Sequence, residues 1–163
     1  MKKIAIILTI LISLSCSMCL AGELSSAPSS IRTPNDMVRW LSSEFSYQMS
    51  VPDNPQTPQE MIAAKKGDCD DFAALASAIL SGMGIDNEVY IIKYKGLSVQ
   101  HAVCAWKDAN GNYCLLSNQT VYYSRESEIT AAIGKIYPDW EKLILSNEER
   151  ASLKIIEHSG LNG

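Results

Sequence analysis

An α+β domain is the fold class this sequence predicts, on three observations. Amphipathic segments with helix-start punctuation fill the first half of the folded region, three β-branched and aromatic runs follow, and no internal repeat appears. At 163 residues, with 47% hydrophobic and 20% charged side chains, the chain fits one core and not two.

The elements follow in order. Thr33 precedes Pro34, with Asp36 three residues on, and Met37, Trp40, Leu41 and Phe45 recur at helical spacing, which predicts a capped helix from Pro34 to near Tyr47. The same punctuation at Thr57, Pro58 and Glu60 opens a short helix through Met61 and Ile62 that Gly67 can end. From Cys69, the residues Phe72, Leu75, Ala76, Ile79, Leu80 and Met83 repeat on one helical face, and Gly82 and Gly84 mark its end. Glu88–Lys95, Val99–Lys107 and Tyr113–Tyr123 read as three antiparallel strands, joined at Gly96 and at Asp108-Ala109-Asn110-Gly111. Ser124 would cap a helix through Ile129, Ala132, Ile133 and Ile136, stopped by Pro138. Ser146 with Glu149 would open another through Leu153, Ile155 and Ile156.

The first 21 residues read as a signal peptide: Lys2 and Lys3 precede an apolar run, Ile4 to Leu14, too short to span a bilayer. Ala21-Gly22 suits ordinary cleavage, while Ser13-Leu14-Ser15-Cys16 resembles a lipobox that would tether the chain to a membrane through Cys16. Either way the expected location is outside the cytoplasm: periplasmic, extracellular or anchored at the cell envelope. Residues 22–31, rich in Ser and carrying Pro28, are expected to form a flexible leader, and 32–163 the folded domain. The whole chain has net charge −4, and loss of Lys2 and Lys3 leaves twelve cations against eighteen anions, −6, the wrong sign for a nucleic-acid binder. Neither a CxxC…CxxC spacing nor HExxH occurs, which argues against zinc.

Two residues stand out chemically. Cys69 opens a helix, where unpaired N–H groups and the macrodipole favour a thiolate, although Asp68, Asp70 and Asp71 oppose it. His101, one of only two histidines, sits in a strand on the face of Val103 and Ala105, after a turn that brings the chain back toward that helix. A helix-start Cys facing a strand His is the nucleophile and base of a thiol hydrolase. The alternatives are a buried structural thiol and a satisfied core histidine. His158 reads as a solvated helix-end cation. Cys104 and Cys114 could form a cross-strand bridge in an exported protein, but the turn between them does not select the register that bridge needs, and two buried thiols are the preferred expectation.

The stretches Gly67-Asp68-Cys69-Asp70-Asp71-Phe72-Ala73, Gly84-Ile85, His101-Ala102-Val103-Cys104, Gly111-Asn112-Tyr113 and Leu116-Ser117-Asn118 together resemble the transglutaminase-like superfamily, in particular its bacterial cysteine proteinases. The resemblance implies a papain-like core, with the Cys helix packed on an antiparallel sheet that bears the His. It implies Cys69 as nucleophile, His101 as base and an Asp on the next strand. By spacing that Asp falls at Ser117, so Asn118 is the expected third member and Ser117 the alternative. Register decides: paired residue numbers summing to 219 put Asn118 opposite His101, whereas 218 puts Ser117 there and Cys104 opposite Cys114. Gln56 or Gln59 could supply an oxyanion donor beside the Cys69 N–H. No cofactor is required, although some bacterial relatives bind calcium through acids flanking the nucleophile, which map to Asp68 and Asp70. The resulting expectation is a monomeric, exported peptidase or amidase acting on a protein or peptide. The rival readings are a protein-glutamine acyltransferase and a non-catalytic envelope-binding domain.

Overall fold

The computed structural model describes residues 27–146 and the backbone of 154–157; the signal peptide, Cys16 and His158 lie outside them. The elements run α1 (Pro34–Glu44), β1 (Ser46–Tyr47), α2 (Pro58–Ala64), β2 (Lys66–Gly67), α3 (Cys69–Gly82), β3 (Asn87–Tyr94), β4 (Gln100–Lys107), β5 (Tyr113–Ser117), β6 (Thr120–Tyr123), α4 (Ile129–Ile136), β7 (Trp140–Ser146) and β8 (Lys154–Glu157). Six strands form one antiparallel sheet in the order β6-β5-β4-β3-β7-β8, and β1 pairs in parallel with β2.

Both Thr-Pro starts form as their residues dictate. Thr33 Oγ1 accepts the Asp36 N–H while Asp36 reaches back to the Thr33 N–H, and Thr57 and Glu60 repeat the exchange. Helix α1 stops at Glu44, short of Tyr47, because Phe45 turns extended and Ser46 donates to Lys65 O. Lys65, at φ 56°, ends α2 in place of Gly67. Gly67 serves a different need: a Cβ there would lie 2.7 Å from Asp71 Cβ and Oδ2. Ile31 is no part of a free leader, since its N–H bonds Pro28 O at 3.0 Å and its side chain packs on the core.

The sheet separates two apolar clusters. Helices α1–α3 cover one face through Met37, Leu41, Phe72, Leu75 and Leu80, against Ala102, Cys104 and Trp106. Helix α4 covers the other through Ala132 and Ile133, against Val103, Ala105 and Leu115. The predicted third strand is two strands, broken by a turn at Asn118-Gln119, where Asn118 takes φ 52°, a left-handed conformation Asn tolerates. Ser124 does not cap α4; it is buried, with its hydroxyl on Tyr113 O at 2.7 Å, and the helix starts after Glu128. Strand β7 was not anticipated, and Ile155 and Ile156 lie in β8, paired with Leu143 and Ile144, where a helix was expected. A short apolar run does not distinguish the two, and the open edge of β7 selects strand.

Register is set at the β4–β5 turn. Gly111 N donates to Asp108 O and, at φ 80°, closes a three-residue connection, so that Asp108 N meets Asn112 O at 2.8 Å. A two-residue connection would give pairs summing to 219; the extra residue gives 220, as in Cys104↔Leu116 and Trp106↔Cys114. Neither expected register occurs. Cys104 and Cys114 are diagonal neighbours, both buried and both free thiols.

Candidate active site

Helix α3 delivers Cys69 to a cavity of about 400 Å³ that His101 also lines, at the end of the sheet. The route differs from the expected one. His101 alternates with Ala102, so it leaves the face that α3 covers and lies on the α4 side, its ring centroid 5.7 Å from that of Tyr137. The two side chains share the cavity because β5 ends at Ser117 and leaves the start of β4 open. Alternation along the ladder from Asp108 places the N–H groups of Trp106, Cys104 and Ala102 on the β5 edge. Trp106 and Cys104 have strand partners there, whereas the Ala102 N–H is directed at the Cys69 sulfur.

Ser117, and not Asn118, holds the imidazole: His101 Nε2 and Ser117 Oγ are 2.7 Å apart. With the 220 register Ser117 is diagonal to His101 on the same face, while Asn118 lies in the turn with its Oδ1 buried and without a hydrogen-bond partner among the described residues. Ser117 therefore stands where the resemblance puts an acid. The engagement of Nε2 leaves Nδ1 as the ring nitrogen free to face a thiol. Burial lowers the His101 pKa, so the ring stays neutral below its ordinary range. Burial first, then Asp70 and Asp68, raises the Cys69 pKa against the pull of the Ala102 N–H. The resting pair is a neutral thiol and a neutral imidazole. Ser117→Asp should reverse this balance: a carboxylate on Nε2 is expected to raise the His101 pKa by about 1–3 units, read by NMR titration, and an unmoved pKa would refute the contact.

Gln56 and Gln59 are not at the thiol. Gln56 Nε2 donates to Asp71 Oδ2 at 2.8 Å and to Lys66 O at 3.1 Å, and neither glutamine lines this cavity. The glutamine that does is Gln100. Asp71 is an organiser that sequence reasoning passed over: buried, it also accepts the N–H groups of Gln56 at 2.7 Å and Asp68 at 3.0 Å, tying the 48–56 loop to the start of α3.

Asp68 and Asp70 are joined by Asp53, one carboxylate oxygen from each lying within 4.8 Å of the others. Asp68 Oδ2 accepts the Ser50 N–H at 3.1 Å, while its Oδ1 is buried without a partner among the described residues. Burial, reinforced by Asp68, pushes the Asp70 pKa up to about 7. Exposed Tyr47, Met49 and Val99 rim the cavity.

Solved structures of the same fold include Legionella pneumophila LapG in its calcium-bound form, with TM-score 0.55 and 17% identity over 83% of this chain and 74% of that one. The EGTA-treated form of LapG matches with TM-score 0.56 and 19% identity over 82% and 70%. Among curated proteins none matches. The profile of the transglutaminase-like domain matches residues 17–137, most of the chain, and with the helix-borne cysteine and the antiparallel sheet in place this protein belongs to the transglutaminase-like domain family.

Proposed function

We propose that this protein is an exported thiol hydrolase of peptide or isopeptide amide bonds, in which Cys69, His101 and Ser117 form the reacting group. The observation that carries this reading is the shared cavity of Cys69 and His101, with His101 Nε2 occupied by Ser117. In the reaction, His101 Nδ1 takes the thiol proton as the sulfur bonds to the substrate carbonyl carbon. The proton then passes to the departing amine as the C–N bond breaks, and water, deprotonated by the same ring, releases the acid and regenerates the thiol. The Cys69 backbone N–H at the start of α3 and the Gln100 amide are the donors available to the oxyanion. Tyr47, Met49 and Val99 suit an extended peptide lying across the opening.

The test is incubation with a peptide mixture in H₂¹⁸O, with and without a primary amine, followed by mass spectrometry. Cleavage with ¹⁸O in the new carboxylate, absent from Cys69→Ala, is expected. Amine incorporation at glutamine would instead make the protein an acyltransferase. The absence of both products, with Cys69 alkylated like an ordinary thiol, would leave the binding-domain reading, which the raised thiol pKa and the missing acid favour.

The same reading includes calcium at Asp53, Asp68 and Asp70. The donor set fits: three hard carboxylate oxygens converge, one buried oxygen lacks a partner, and no soft ligand belongs to the cluster. A bound cation there would cancel like charges beside the thiol and pin the loop of Ser50 and Asp53 to α3. Calcium at 100 times its dissociation constant is expected to raise the unfolding midpoint by about 5–10 °C, an effect lost in Asp53→Asn/Asp70→Asn. Equal midpoints in calcium and EGTA would refute the site.

A further inference from the structure

The short pair of β1 and β2 leaves one strand edge open beside the thiol. The N–H groups of Ser46, Gln48 and Ser50 all turn inward, to Lys65 O at 3.0 Å, Gly67 O at 2.8 Å and Asp68 Oδ2 at 3.1 Å. Bonds at every second residue hold the chain extended from Ser46 to Ser50, past the end of β1 itself. By alternation, the main-chain N–H and C=O of Tyr47 and of Met49 face the opposite edge, where they make no hydrogen bond among the described residues.

That edge is placed and prepared for a peptide. Tyr47, Met49 and Ser50 line the cavity that holds Cys69 and His101, and Met49 and Ser50 also line a second cavity, of about 920 Å³, with Val51, Asn54 and Lys66. A chain running along the edge therefore passes from the thiol into open space. Two donor–acceptor pairs, two residues apart, match the spacing at which an extended peptide presents its own. Native edges commonly refuse such strands with charged side chains, yet residues 45–52 carry none. The template is also held in place before anything binds, since Asp68 fixes Ser50 and Asp71 fixes Gln56 at the far end of the same loop.

We infer that the outer edge of Tyr47 and Met49 is a strand-addition site, where the main chain of an extended substrate pairs and is laid beside Cys69. The N–H groups of the substrate donate to the two carbonyls, and its carbonyls accept from the two N–H groups. The inference deepens the hydrolase reading, on which it rests for the nature of the ligand. It narrows the substrate to an unfolded linker or tail, because a segment already in a helix or inside a sheet has no free N–H groups to offer.

The probe is acetyl-tetraalanyl chloromethyl ketone, whose chloride the Cys69 sulfur displaces, leaving a peptide attached at the site. In ¹⁵N-labelled protein, hydrogen exchange at the Tyr47 and Met49 N–H groups is expected to be about tenfold slower in this adduct than in protein alkylated by iodoacetamide. Methylation of the probe's amide nitrogens, one at a time, should slow labelling of Cys69 by about fivefold at alternate positions and leave the positions between them unaffected. Mass spectrometry of the Cys69 peptide gives these rates. Tyr47→Pro removes an outward N–H and spares the inward ladder, so its labelling, relative to its own iodoacetamide rate, should be about fivefold slower than that of Tyr47→Ala. Unprotected amides at Tyr47 and Met49 in the adduct, methylation tolerated at every position, or equal relative rates in the two variants would each overturn the inference. Protection at these amides with the alternating methylation pattern, in a protein that cleaves no peptide, would sink the hydrolase reading and leave strand addition standing.

Discussion

Asp71→Ala is expected to lower unfolding free energy by about 3–5 kcal/mol, the largest stability loss at any single residue of the site. Its carboxylate, 2% exposed, accepts from the Gln56 backbone and side chain and from the Asp68 backbone. Alanine would leave all three donors without the oxygens that they bond. It would also untie the loop that carries Ser50 and Asp53 from the helix that carries Cys69. Urea denaturation gives the measurement, with the midpoint falling at unchanged slope. A loss under about 1 kcal/mol would show that the three contacts contribute no more than a surface network does. Gly67→Ala should reproduce part of the defect, because its new methyl would press on Asp71.

His101→Ala is expected to reduce peptide cleavage about 10²–10⁴-fold and, more tellingly, to change the shape of its pH profile. In the wild type, burial depresses the His101 pKa and elevates that of Cys69, so between those values the thiol is protonated and the imidazole is free to receive its proton. The rate should therefore climb as pH rises through the His101 pKa, below 6.5, and then stay level until the thiol ionises by itself above 9. The variant has no base to take the proton. Its rate should follow thiolate concentration alone, rising about tenfold per pH unit across the region where the wild type is flat. Alkylation of Cys69, followed by mass spectrometry of its peptide, applies the same comparison without a substrate. Parallel profiles for the two proteins would exclude His101 as the base.

Much of this site could be read along the chain, and what could not had a common cause. The Thr-Pro-x-Asp/Glu punctuation of α1 and α2, the apolar stripe behind Cys69 and the β-branched runs of β3 and β4 are local signals, and each of these elements formed, although α1 and α2 end earlier than expected. Asp71 looked like one more acid at a helix start, since its partners at Gln56 and Asp68 become neighbours only once the loop has folded over. Tyr137 went unread before Pro138, with nothing in the chain to say that α4 would set it beside His101. Strand β7 carries a Lys amid its apolar residues and passed unread until β3 supplied its partner. The choice of Ser117 over Asn118 turned on one residue of loop length.

The Ala109–Gly111 connection therefore has an effect far from where it sits. Surface hairpins ordinarily absorb insertions and deletions, because strands on either side keep their own faces. Here the removal of a single residue would slide β5 by one position and turn its row of side chains over, so that Leu115 would pass from the α4 cluster to the opposite face of the sheet and Ser117 would leave the imidazole. The hairpin acts as a spacer whose length is read out at the opposite end of the strand. Engineers grafting or trimming this turn should treat its residue count as part of the reactive centre, and divergence of such proteins is constrained at a place where no reacting atom lies.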